Sequence, residues 1–89
     1  MKAVITVIGK DKVGIIATVS SECAKFGANI VDITQSVMRD YFAMIMLVEI
    51  DNMNVSFASF QQELADVAKE KGLDIRVMHE DIFNSMHRI

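Results

Sequence analysis

Eighty-nine residues make one domain, and 52% of them are hydrophobic, with seven Met and five Phe but no Trp. A formal net charge of −3, with the basic residues scattered, is the wrong balance for gripping a nucleic-acid backbone. A single cysteine excludes an internal disulfide and any multi-cysteine metal site, and no leader or membrane-spanning run is expected, which points to a cytoplasmic domain.

Lys2 to Ile8 is short and rich in β-branched residues, the pattern of a largely buried first strand. Gly9-Lys10-Asp11-Lys12-Val13-Gly14-Ile15 then joins it to a helix over 15–26, for which Asp11 is the expected cap. Ile16, Val19, Cys23 and Phe26 recur at helical spacing, and Gly27 stops the helix. Asn29 to Met38 alternates, with Val31, Ile33 and Val37 on one side and Ile30, Asp32, Thr34 and Ser36 on the other. A turn at Arg39-Asp40 leads into a strand from Tyr41 to Ile50, and a two-residue turn would set Val37 across from Phe42 and Ile33 from Met46.

After the loop at 51–54, Asn54 or Ser56 caps a second helix whose apolar stripe is Phe57, Phe60, Leu64, Val67 and Ala68. Gly72 ends it, with Lys69 and Lys71 in the last turn, where cations suit the helix dipole. Leu73, Ile75 and Val77 mark a fourth strand, and Ile82, Phe83, Met86 and Ile89 predict a short C-terminal helix. The order β-α-β-β-α-β plus a tail predicts an α+β, ferredoxin-like sandwich, with a four-stranded antiparallel sheet and two helices on one face. The division is a domain over 1–79 and a helical tail over 80–89. The second sheet face is left open, and so apolar a chain of this length predicts a homodimer that covers that face or extends the sheet at its edge.

The joint is the chemically distinctive segment. The first N–H groups of a helix have no intrahelical partner and carry partial positive charge, so a glycine-flanked turn there can receive a small anion or zwitterion. Asp11 as a cap alone, Gly14 as a close-packing position and Asn29 as a left-handed turn residue are the competing readings. Cys23, on the apolar side of the first helix, reads as a buried structural thiol. His79, Glu80 and Asp81 could ligate a metal with His87, but a strand end followed by a capped tail fits them better. No metal or cofactor is expected. Ile15-Ile16 stands where a phosphate loop needs Lys-Ser/Thr, and no nucleophile–base pair can be assembled, so catalysis is not expected. Neither a nucleic-acid nor a membrane partner is expected.

With that order, with Asp11-Lys12-Val13-Gly14-Ile15 opening the first helix and Gly27-Ala28-Asn29-Ile30 leading out of it, the chain resembles the ACT domain. It looks closest to the stand-alone bacterial ACT proteins related to the glycine cleavage system repressor. The resemblance covers residues 1 to about 79, and departs where many ACT domains have Pro and this chain has Val13, which keeps an N–H. It implies a ligand-binding regulatory module with a ligand between the first strand-to-helix loop of one subunit and strand two of its neighbour. Carried onto this sequence, the candidates are Gly9, Lys10, Asp11, Lys12, Val13, Gly14 and Ile15, with Asn29 and Ile30 opposite. An α-amino acid fits their chemistry: the N–H groups of Val13, Gly14 and Ile15 for its carboxylate, and Asp11 or a carbonyl for its ammonium. The partners implied are a second copy and an unknown protein target. The alternative is a ligand-free adaptor that recruits a protein through the open sheet face.

Overall fold

The computed structural model describes residues 1–10 and 13–86, folded in the order β1 (Lys2–Gly9), α1 (Ile15–Phe26), β2 (Asn29–Met38), β3 (Tyr41–Glu49), α2 (Phe57–Lys71), β4 (Asp74–His79) and α3 (Glu80–Met86). The four strands form one antiparallel sheet in the order β2-β3-β1-β4. The two inner strands carry the longest apolar runs. Ile5 and Val7 of β1 and Met44, Met46 and Val48 of β3 are fully buried beneath Val19 and Cys23 of α1 and Phe60 and Leu64 of α2. Phe26 and Phe60 meet edge to face across the helix pair, with ring centroids 6.2 Å apart.

The α1 stripe is buried as expected at Val19, Cys23 and Phe26 and differs only in its first member. Ile15 is buried together with Val19, Cys23 and Phe26, whereas Ile16 lies at the flank, more than a third exposed. Gly27, at φ 77°, ends the helix, and the Ala28 N–H donates to the Cys23 carbonyl at 2.9 Å. Asn54 completes that end: its N–H donates to the Phe26 carbonyl at 3.0 Å and its Nδ2 to the Lys25 carbonyl at 3.1 Å. Ser56 is therefore the residue that caps α2, its Oγ accepting from the Ser59 N–H at 3.1 Å.

Val37 pairs with Phe42 and Ile33 with Met46, the register a two-residue turn dictates, and Arg39 enters that turn at φ 55°. A bulge between Ile30 and Asp32 corrects the alternation of β2. The extra residue, Val31, flips the phase, so Ile30 opposes Val48 and packs against the core rather than sharing a side with Asp32. The second sheet face also differs from expectation, because α3 folds back over its β1–β4 half. Phe83 and Met86 wall a cavity of about 380 Å³ above Thr6, Ile8, Ile45 and Met78. On that face Met38, Tyr41 and Ile45 of the β2–β3 half stay exposed, as does Ile8 of β1 at the mouth of the cavity.

Candidate functional site

Two corners of the fold meet at one end of the sheet. Because β4 runs antiparallel to β1, Asp74 pairs with Ile8, which brings the α2–β4 corner against the β1–α1 joint. Gly9 permits the contact: a Cβ built there would fall on the Leu73 side chain and lie 3.5 Å from Ile15 Cδ1. The N-cap of α1 is Gly14 at φ 78°, and among the described residues no side-chain hydrogen bond caps the helix. Asp11 and Lys12 themselves lie outside the described residues, as does His87. The first intrahelical bond runs from the Thr18 N–H to the Gly14 carbonyl at 2.9 Å, so the N–H groups of Ile15, Ile16 and Ala17 have no acceptor within the helix. A Cβ at Gly14 would meet no described atom within 4 Å.

Two cavities flank the joint. The larger, about 500 Å³, lies between the start of α1 and the end of α2 and is lined by Lys10, Val13, Gly14, Ile15, Thr18, Lys71, Gly72 and Leu73. The smaller, about 260 Å³, lies between the joint and the β2–β3 hairpin, lined by Lys10, Val13, Val37, Arg39, Asp40, Tyr41 and Phe42. Lys10 belongs to both, its ammonium 5.9 Å from the Tyr41 ring centroid. Of the sequence candidates, Lys10, Val13, Gly14 and Ile15 therefore come together, with Gly9 shaping the floor. Thr18, Lys71, Gly72 and Leu73 escaped sequence reasoning. Their signal was topological, since β4 returning beside β1 places the glycine-capped end of α2 at this corner.

Asn29 and Ile30 are elsewhere. Gly9, Phe42 and Val37 share one row across the sheet, whereas Asn29 pairs with Glu49 in the row of Lys2. At about 3.3 Å per residue, the two rows are roughly 25 Å apart within one chain. The strand that carries both residues is an edge of the sheet. Along it Val31, Ile33, Val37 and Met38 are all exposed. On the opposite side of the sheet, Gln61 Nε2 already occupies the Val77 carbonyl of β4 at 2.8 Å.

Other chemistry-bearing groups are structural. The Cys23 thiol is fully buried, and burial, with a smaller contribution from the Glu22 charge, pushes its pKa from 9.0 to about 11. His79 stacks on Phe57 with ring centroids 4.0 Å apart, and no set of metal-binding side chains gathers around it among the described residues. Also among the described residues, no helix is long and apolar enough to cross a membrane.

A family model described as ACT domain matches residues 2–78. A UPF0237 protein of Clostridium acetobutylicum is 53% identical over 89 residues, covering 100% of both chains. An ACT domain protein from Streptococcus pneumoniae superposes with a TM-score of 0.81 at 38% identity, over 93% of each chain. A putative glycine cleavage system transcriptional repressor shares the fold at a TM-score of 0.77 and 12% identity, over 85% of this chain and 44% of that one.

Proposed function

The chain belongs to the ACT domain family, and from that premise we propose that it is a non-enzymatic regulatory module that binds an α-amino acid at a boundary between two copies and thereby modulates a partner protein. One observation carries the reading. Gly14 opens α1 in the left-handed region, and Gly14 and Ile15 at the helix start line a cavity large enough for a metabolite. The ligand carboxylate is received by N–H groups at the start of α1, and its ammonium by a backbone carbonyl or by Asp11.

A second copy completes the site. Antiparallel pairing of two β2 edges about a two-fold axis sets the start of one β2 beside the end of the other. Asn29 and Ile30 of one copy then stand next to Val37, and so beside the smaller cavity and the joint, of its neighbour. The same pairing covers the exposed Ile33 and Val37, whose apolar edge otherwise stays in water. Ligand binding favours that arrangement only by its difference in affinity between the paired and unpaired states, so a shared site is what couples metabolite to assembly.

Thermal shift against the twenty amino acids tests the reading. Ligand at a hundred times its Kd adds about 2.7 kcal/mol of stability, a displacement easily resolved in a domain of this size. A flat response to all twenty would overturn it. A ligand-free adaptor is the second reading, and the exposed Met38, Tyr41 and Ile45 on the uncovered half-face favour it. That reading is selected by partner binding that persists with no amino-acid response.

A further inference from the structure

We propose that in the β2-paired dimer Ile16 of α1 packs across the subunit boundary onto the start of its neighbour's β2, so that assembly of two copies sets the affinity of the joint. The inference rests on the β2-paired reading and goes beyond it by naming the contact through which pairing regulates the receptor.

Two sets of apolar side chains left in water carry the argument. α1 lies on the β2 side of the sheet and α2 on the β4 side, where Gln61 reaches the Val77 carbonyl. Thr18 faces the end of α2, since it lines the larger cavity together with Lys71, Gly72 and Leu73. At about 100° per residue, Ile16 is then on the opposite flank of α1, turned towards the β2 edge, and it is 37% exposed. The strand beside that flank is as bare. Ile33 and Val37 oppose the buried Met46 and Phe42, so they stand on the helix-bearing side of the sheet, yet they are 36% and 52% exposed. With Ile16 they form an apolar shelf along the edge.

Two-fold pairing of β2 with β2 joins two such shelves into one trough. Adjacent strands lie about 4.8 Å apart, so the neighbour's β2 passes within a side chain's reach of the α1 flank. Ile15 packs against Gly9, which places Ile16 over the row of Gly9, Phe42 and Val37. Antiparallel pairing sets that row against the start of the neighbour's β2, where Ile30 opposes Val48 and stands on the same helix-bearing side. Symmetry makes the contact twice, Ile16 of each copy on Ile30 of the other. The Ile16 N–H is also one of the donors without an acceptor inside the helix. A side chain held from across the boundary fixes the first turn of α1, and with it the direction of those donors, so the ligand meets a turn already ordered. Reciprocity then requires the ligand to tighten the pair by the factor with which pairing tightens the ligand.

Sedimentation equilibrium of the full chain, alone and with an equimolar mixture of the twenty amino acids, tests this on the parent and on Ile16→Ala. Alanine is the best helix former and position 16 is at the surface, so the variant keeps its fold, as its circular dichroism spectrum should verify. Its dimer should be weaker by about tenfold, the product of two symmetric losses of about threefold, and the amino acids should no longer tighten it. Ile82→Ala, which truncates an exposed isoleucine of α3 away from the edge, should change neither quantity. Combining Ile16→Ala with Ile30→Val should cost less than the sum of the two, because both remove one contact. Parent-like dimerisation of Ile16→Ala, additive losses in the combined variant, or a weakened dimer that the amino acids still tighten in full would each overturn the inference and leave the paired reading standing. A parent chain that stays monomeric at every concentration would remove that reading and this inference with it, and a parent dimer indifferent to the mixture would remove the regulation claimed here.

Discussion

Replacing Gly14 by Ala isolates what the joint contributes. The residue holds φ 78°, and a Cβ there would touch no described atom within 4 Å, so the cost of alanine is that of an L-residue in the left-handed region. That cost is about 1–2 kcal/mol, and the narrower unfolded ensemble of alanine returns about 0.4–1 kcal/mol. The net loss should be about 1 kcal/mol, equivalent to a Tm fall of about 4–8 °C for a domain of this length. Urea denaturation followed by circular dichroism measures it, with an unchanged m-value showing that the folded state has kept its compactness. A D-alanine at position 14, introduced by ligation at Cys23, should restore or exceed the parent stability, since the left-handed region is native to it. The variant should also lose amino-acid response, because the donors turn with the backbone. Gly14→Ala with undiminished stability would refute the conformational argument, and a destabilised variant with full ligand response would separate the turn from the site.

Further outcomes follow from the packing. Ser56→Ala removes the Oγ acceptor of the Ser59 N–H and should cost about 1 kcal/mol by thermal or denaturant unfolding. Cys23 links pH to stability with a definite sign: its thiol pKa rises from 9.0 to about 11 on folding, so the unfolded chain loses its proton first. Stability is therefore whole below pH 9 and falls between pH 9 and 11, and Cys23→Ala should flatten that part of the pH profile. Ile33→Lys places a charge on the exposed β2 edge and should yield a folded monomer by sedimentation, with the circular dichroism spectrum of the parent.

Much of this fold is legible in the sequence because local physics and tertiary environment agree. The glycines at 27 and 72 end helices as their spacing requires, and the Arg39-Asp40 turn fixes the register of the hairpin. The sequence misleads where one residue's phase is decided by packing. Ile15 and Ile16 are equally apolar, and only the docking of α1 chooses between them. The Val31 bulge is invisible because Asn29 to Met38 alternates plausibly in either phase. At the site, Lys10, Val13, Gly14 and Ile15 are contiguous and could be found by inspection. Thr18 and Lys71 are brought together only by antiparallel pairing of β1 with β4, and the roughly 25 Å that separates Asn29 from the joint could not be read from a string at all.

Complementation between two defective copies measures the shared site most directly. Gly14→Ala damages the joint and Asn29→Ala damages the β2 face, so neither homodimer should bind the amino acid that gives the largest thermal shift. Mixed in equal amounts and allowed to exchange, half of the dimers become mixed, and each then pairs one sound joint with one sound β2 start. Titration should recover about a quarter of the parent binding capacity. Recovery of none, or full binding by the Asn29→Ala protein alone, would contradict a receptor built across two chains.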